Sequence, residues 1–146
     1  YLNNLILDEI NSKYKKCIND PLDDYGYDQL LSNSSIILNI PESRYNHDYS
    51  NPKVLIGANL RDFEVPALGS FLLTQYNEEI SSLFDLEKEI ETFKNEWEMV
   101  DKTKFYLKKP NLSLKIAEAG QKRVNKQHLW VHRFENLFSH LKKNFL

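Results

Sequence analysis

Residues 61–74 have the sequence RDFEVPALGSFLLT, a short helical pattern that leads directly into an apolar run. Asp62 is predicted to be the N-cap of the helix, because its side-chain oxygen can accept a hydrogen bond from a first-turn amide. Pro66 is compatible with a first turn, where its missing N–H has no intrahelical partner. Gly69 is predicted to end the helix. The run at residues 71–74 is typical of a parallel strand that is buried on both faces.

Two further apolar runs predict the remaining strands. Residues 35–40 form a short run between turn residues, and residues 89–93 form a weaker one. Helical patterns occur at residues 2–17, 25–31, 77–84, 96–107, 110–126 and from Trp130 onward. Strands that alternate with helices indicate an α/β fold with a mainly parallel sheet. We expect residues 36–38 and 71–73 to be neighbouring central strands with helices on both faces, and residues 89–93 to be an edge strand.

The composition excludes several classes of protein. The chain has 146 residues and a formal net charge of -2, so nucleic acid is not an expected partner. Its single cysteine, Cys17, excludes a disulfide framework and a cysteine metal cluster. No apolar run has the length of a membrane span. These features predict one folded domain in the reducing environment of the cytoplasm, hence a cytoplasmic protein.

The start of the predicted helix carries Arg61 and Glu64. Free amides and the helix dipole attract phosphate at such a terminus, and an arginine beside it can make bidentate contacts with a diphosphate. A carboxylate one step inside the helix can accept hydrogen bonds from two ribose hydroxyls. This combination suits a nucleoside diphosphate, although local physics alone favours an ordinary surface ion pair between the two residues.

The order of motifs along the chain is more specific than any one of them. The elements are Arg61-Asp62-Phe63-Glu64, Ala67, Gly69, residues 71–74, residues 78–84, residues 116–124, His128 and His132-Arg133, with Ile37-Leu38-Asn39 upstream. This pattern, from about residue 34 to residue 141, resembles the glycosyltransferase group that includes the spore-maturation (CgeB-like) proteins and the group 1 glycosyl transferases.

The resemblance implies the C-terminal half of a GT-B glycosyltransferase, a Rossmann-like three-layer α/β domain with a small parallel sheet, or a truncated form of it. Residues 34–146 are then the nucleotide-sugar-binding domain, and residues 1–33 are a helical segment that continues from a missing upstream part. The implied partners are a nucleotide-sugar donor and a missing N-terminal acceptor domain of the same protein. The full-length protein is therefore expected to be a glycosyltransferase that needs no metal or other cofactor, and this fragment alone is expected to be inactive.

The resemblance also places the donor on particular residues. Glu64 is expected to hold the donor ribose and Arg61 the diphosphate. Asn39 is predicted at the carboxyl end of its strand, where open α/β sheets bind ligands, and Gly57 and Asn59 are predicted to bring loop amides to the diphosphate. Simpler interpretations stay open, since Asn39 can be a strand-terminating residue and the loop positions can be turn residues. No catalytic residue is assigned.

The chain departs from the wider GT-B signature at one position. That signature has a second glutamate eight residues before the one at Glu64, and this chain has Ile56 there. The departure supports an alternative function, a non-catalytic glycosyltransferase-like module that binds nucleotides or other proteins.

A histidine pair lies near or on the last helix, which also carries an apolar stripe. His128 and His132 have the i, i+4 spacing of some metal sites, but the glutamate of a zinc protease is absent between them, so we predict structural roles. The resemblance implies that His132 and Arg133 pack this helix against the domain. The stripe that begins at Trp130 is predicted to be core or a domain interface.

Overall fold

The computed structural model describes residues 22–41, 44–45, 54–55 and 57–145. The strands are β1 (Ile37–Asn39), β2 (Arg44–Tyr45), β3 (Val54–Leu55), β4 (Leu72–Gln75) and β5 (Glu91–Phe93). The helices are α1 (Asp24–Asn33), α2 (Arg61–Ala67), α3 (Glu78–Leu83), α4 (Glu96–Leu107), α5 (Pro110–Gln127) and α6 (Trp130–Phe145). The predicted helix at residues 2–17, Cys17 and Ile56 lie outside the described residues.

The main sheet has three parallel strands in the order β1-β4-β5. Asn39 pairs with Thr74, and Thr74 pairs with Thr92. Strands β2 and β3 form a separate antiparallel pair. Helices lie between the parallel strands along the chain, as parallel pairing requires, so the predicted Rossmann-like α/β class with a small parallel sheet is confirmed.

One part of the predicted strand order is wrong. Strand β4 is central and β5 is an edge strand, as expected, but β1 is also an edge strand of the described sheet. The side chain of Leu38 is 43% exposed. The apolar run at residues 35–40 therefore did not indicate a strand buried on both faces, because a leucine side chain that points to an uncovered face gives the same sequence pattern.

Successive side chains of β4 point to opposite faces of the sheet. Leu73 is fully buried and packs in a cluster with Phe93, with Tyr106 of α4 and with Ile116 of α5. The neighbouring Thr74 points to the other face, where its hydroxyl reaches α2. Helices therefore contact both faces of the central strand.

A buried polar cluster fastens α4 to β5. The Glu91 carboxylate is 2% exposed, lies 2.9 Å from the ammonium group of Lys102, and accepts a hydrogen bond from the Tyr106 hydroxyl. Lys102 also donates to the carbonyl of Thr92 at 2.7 Å. Burial and the neighbouring Glu91 carboxylate raise the pKa of Tyr106, so this hydroxyl stays protonated and remains a donor.

Helix α2 differs from its prediction at two of three positions. Its N-cap residue is Leu60, which makes no side-chain capping bond, and Asp62 is an internal residue with no exposed surface. Pro66 lies near the end of the helix rather than in the first turn. Gly69 ends the helix as predicted, with a φ of 74° that a side chain would strain.

The chain divides into two compact units, residues 1–30 and residues 31–146. In the described part of the first unit, the Asp23 carboxylate accepts a hydrogen bond from the amide of Gly26 at 2.8 Å. The second unit contains the three-stranded sheet. The predicted boundary between residues 33 and 34 stays a prediction.

Helix α6 is amphipathic but buries none of its residues. Its large apolar side chains are 39 to 75% exposed: Trp130, Val131, Phe134, Leu137, Phe138, Leu141 and Phe145. The interpretation of this stripe as core of the domain is therefore wrong, and its interpretation as an interface stays a prediction. None of the helices in the described part of the chain has the length and apolar character that a membrane span requires.

Gly120 allows α5 to approach the start of β5. A Cβ atom at this position would clash with the backbone carbonyl oxygen of Glu89 and lie 3.4 Å from the side chain of Pro66. Gly120→Ala is therefore expected to destabilise the protein by about 1–3 kcal/mol through overpacking. At a helix position without such a contact, alanine is instead more favourable than glycine by about 1 kcal/mol. The free energy of unfolding in urea measures the effect, with the exposed Asn125→Ala in the same helix as control. An unfolding midpoint equal to that of the control would show that the space between residue 120 and the Glu89 carbonyl does not require glycine.

Candidate functional site

The buried carboxylate of Asp62 joins the carboxyl ends of two strands to α2. It accepts hydrogen bonds from the Asn39 amide at 2.8 Å, from the Thr74 hydroxyl at 2.8 Å and from the backbone N–H of Asn59 at 2.9 Å. Asp62, Asn39 and Thr74 are all at most 1% exposed. A buried carboxylate requires such donors, because burial without them costs several kcal/mol. The network therefore sets where α2 begins relative to the sheet.

Asn39 lies at the end of β1, where it was predicted. Its side-chain amide also lies 3.2 Å from the Thr74 hydroxyl and 3.2 Å from the side-chain oxygen of Asn59. These internal partners occupy the side-chain amide of Asn39. Asn39 therefore stabilises the buried network rather than presenting its amide to a ligand. Sequence reasoning missed Thr74 and the buried role of Asp62. Polar residues that end two neighbouring apolar runs are the signal that points to them.

The loop before α2 is held by two carboxylates. The amide of Ala58 donates to the carboxylate of Glu79 at 2.9 Å, and the next amide, that of Asn59, donates to Asp62. A Cβ atom at Gly57 would lie 3.1 Å from the same Glu79 oxygen, so glycine permits this approach.

The amides at the start of α2 also have partners. The N–H of Asp62 donates to the carbonyl of Asn59, and those of Phe63 and Glu64 donate to the carbonyl of Leu60. These three amides of the seven-residue helix are therefore not free, contrary to the sequence-based expectation.

A largely apolar cleft of about 480 Å³ lies beside α2. Glu64, which is partly exposed, and Asn59 line it. The other lining residues are Ala58, Leu60, Phe63, Ala67, Val124, His128, Leu129, Trp130 and Arg133. The structure thus brings two of the five predicted donor residues to one cleft. Arg61 is exposed at the start of α2, and Arg61, Gly57 and Asn39 do not line this cleft.

A second, more polar cleft of about 600 Å³ adjoins the first. The two clefts share Ala58, Phe63, His128 and Arg133. Side chains that line only the second cleft include Glu79, Lys126, His132 and Glu135. These four shared residues form a partition between the two clefts. A ligand that enters either cleft therefore contacts this partition.

Tilted contacts between aromatic rings build this partition. The His128 ring centroid lies 5.5 Å from that of Phe63 and 5.2 Å from that of Phe84, and the Arg133 guanidinium lies 4.6 Å from the Phe63 centroid. Burial is the main cause that lowers the pKa of His128, and the positive charges of Arg133 and Arg123 lower it further. The neutral imidazole is thus favoured and can donate from Nε2 to the carbonyl of Leu83, which lies 3.1 Å away.

The structural roles predicted for His128, His132 and Arg133 stay predictions. His128, the C-cap residue of α5, and Arg133 of α6 both contact the Phe63 ring. His132 differs, because its buried Nδ1 atom has no hydrogen-bond partner. In the described ranges, His, Cys, Asp and Glu side chains form no group of three that could hold a metal ion.

The Asp62 network is expected to be a main source of local stability. Asp62→Ala removes the acceptor of the Thr74 hydroxyl and of the Asn59 amide, and the shortest of the bonds that the Asn39 amide donates. An unpaired buried group costs about 1–3 kcal/mol. We therefore expect a loss of at least about 2 kcal/mol in the free energy of unfolding, measured by urea denaturation. Asp101→Ala removes an exposed carboxylate from α4 and serves as the control. Equal unfolding midpoints for the two variants would contradict a structural role of the network.

Comparison with known proteins identifies the family. A family model described as glycosyl transferase-like matches residues 8–139. The match includes the whole sheet, the Asp62 network and all residues that line the two clefts. Searches of the curated proteins and of the solved structures found no match. Because the matched region covers well over half of the 146 residues, the chain belongs to the glycosyl transferase-like family.

Proposed function

We propose that the chain is the donor-binding part of a GT-B glycosyltransferase and binds a nucleoside-diphosphate sugar. One observation carries the proposal. Glu64 stands in the first turn of α2, partly exposed, on the wall of a largely apolar cleft. Asn59 of the same wall contacts Asn39 at the carboxyl end of β1. Ligands of open α/β sheets bind at that edge, and membership of a glycosyl transferase-like family supports a sugar donor there.

The cleft offers the chemistry that a nucleoside needs. A carboxylate can accept hydrogen bonds from two neighbouring ribose hydroxyls, and the apolar side chains of Leu60, Leu129 and Trp130 can cover a nucleobase. A volume of about 480 Å³ falls within the usual range of small-molecule sites. We assign Glu64 to the ribose.

Arg61 is the proposed partner of the diphosphate. Its side chain is exposed at the first residue of α2, next to the buried Asp62, and a guanidinium group matches phosphate oxygens in bidentate geometry. Because the first-turn amides already have partners, we assign diphosphate binding to this side chain rather than to the helix terminus.

In the proposed reaction, the bond between the anomeric carbon and the diphosphate breaks, and a bond to an acceptor oxygen forms. The leaving diphosphate takes the electron pair, and a base takes the acceptor proton. Charge that gathers on the diphosphate is stabilised by Arg61, without a bound metal or other cofactor. We place the base and the acceptor on an N-terminal domain of the same, cytoplasmic protein, so the 146 residues alone are not expected to transfer sugar.

Variants of the two donor residues test the assignment. Glu64→Ala is expected to weaken the binding of a nucleoside-diphosphate sugar by about 1.5–3 kcal/mol, as for lost hydrogen bonds to a charged group. Arg61→Ala is expected to weaken it at least as much. Titration calorimetry with a panel of nucleotide sugars measures the affinity, and the exposed Glu118→Ala on α5 is the control. Thermal unfolding should be almost unchanged in all three variants.

The two ways in which this test can fail have different meanings. If both alanine variants bind the donor as the wild type does, the residue assignment is wrong. If the wild type binds no nucleotide sugar, the proposed function is wrong.

The alternative of a non-catalytic module has one observation in its favour, Ile56 at the position of the second signature glutamate. Donor binding without turnover in the full-length protein would support this alternative. Transfer of sugar to any acceptor would exclude it.

The exposed face of α6 is the proposed contact with the N-terminal domain. Large apolar surfaces of this kind are commonly covered by a partner. We therefore expect the isolated chain to self-associate, and the double change Phe134→Ser and Phe138→Ser to reduce that association. Sedimentation velocity measures the effect, with Trp97→Ser on α4 as the control, since Trp97 is 79% exposed outside this face. Equal association of both variants would contradict the role of α6.

A further inference from the structure

Two successive amides of the loop at residues 57–60 donate to carboxylates from different elements. Ala58 donates to Glu79 of α3, and Asn59 donates to Asp62 of α2, each at 2.9 Å. The Asp62 bond is part of the buried network, whereas the Glu79 bond is exposed. Glu79 lies 21 residues from Ala58 along the chain, so this bond is a tertiary contact.

We propose that Glu79 is a positioning residue of the donor site, which it holds in shape through the amide of Ala58. The inference deepens the proposed function and rests on it. Glu79 lines the larger cleft and not the smaller one to which Glu64 belongs. It therefore acts on the donor cleft through the loop.

Glu79 is well placed to hold the loop because its own helix is firmly anchored. The Asn77 side chain caps α3 by accepting a hydrogen bond from the amide of Ile80 at 2.9 Å. Ile80 has no exposed surface and Asn77 is 7% exposed. The backbone at Glu79 therefore has a defined position, from which the exposed side chain reaches the amide of Ala58.

The loop in turn determines the wall of the donor cleft. Ala58, Asn59 and Leu60 all line that cleft, and the carbonyl of Leu60 accepts the first hydrogen bonds of α2. If the amide of Ala58 is released, the loop is held on one side alone, by the bonds of Asn59 to Asp62 and Asn39. The cleft wall and the start of the helix that carries Glu64 then become more mobile. A ligand that contacts both must order them when it binds, and this lowers its affinity.

Electrostatics predicts the opposite effect of removing Glu79. A negative charge near a diphosphate repels it, so its removal by itself would strengthen binding. Glu78 stands beside Glu79 in the same exposed turn, and its side chain does not line either cleft. Glu78→Ala therefore gives the charge effect alone. The positioning effect is the amount by which Glu79→Ala binds nucleotide more weakly than Glu78→Ala does.

The experiment compares Glu79→Ala, Glu79→Gln and Glu78→Ala with the wild-type chain. Hydrogen exchange of the Ala58 amide, measured by NMR, reports on the loop. Calorimetry with UDP, GDP, ADP and TDP reports on donor affinity. We expect Glu79→Ala to speed exchange at Ala58 and to weaken nucleotide binding roughly fivefold, the equivalent of one ordinary hydrogen bond. Glu79→Gln keeps an acceptor oxygen and should restore most of both properties, and Glu78→Ala should bind as well as the wild type or better.

Other results overturn the proposal. Equal binding by Glu79→Ala and Glu78→Ala would show that Glu79 contributes only charge. Tighter binding by Glu79→Ala than by Glu78→Ala would show that Glu79 competes with phosphate for the Ala58 amide. A wild-type chain that binds none of the four nucleotides contradicts the proposed function instead, and exchange at Ala58 then still decides whether Glu79 holds the loop.

Discussion

The burial of one carboxylate, that of Asp62, is the constraint on which the site depends. The side chain has no exposed surface and is surrounded by neutral donors from β1, β4 and the loop before α2. Because each donor loses water when the carboxylate is buried, all of them must be paired in the same arrangement. This requirement joins the sheet edge, the loop and α2 into one unit. Glu64 belongs to that unit because it lies on α2.

The same unit explains why two clefts meet at this edge. The loop ends at α2, and the partition built from Phe63, His128 and Arg133 stands next to it. A neutral His128 fits this partition, since it contacts the aromatic rings of Phe63 and Phe84 and lies against the carbonyl of Leu83. The apolar cleft then suits a nucleoside, whereas the polar cleft exposes Glu79, through which the loop is held on its other side.

Much of the fold could be predicted from local patterns, and the failures share a cause. The runs that became β4 and β5, the helix that ends at Gly69 and the helix that begins at Pro110 all depend on nearby residues. The errors concern Asp62, the edge position of β1 and the uncovered face of α6. Each of these depends on which other segment lies alongside, and hydrophobic periodicity carries no information about that.

The sequence by itself determined the α/β class, the place of Asn39 at a strand end and the motif order that resembles glycosyltransferases, because these follow from spacing along the chain. Only the tertiary structure decided that Asp62 is buried, that Glu64 and Asn59 share a cleft while Arg61 stays outside it, and that Glu79 reaches the loop. These facts depend on contacts between residues far apart along the chain, such as Asn39 and Thr74, which are 35 residues apart. Their contacts arise from the packing of the sheet and its helices, because hydrogen bonds between distant residues form only where the fold brings both partners out of water together.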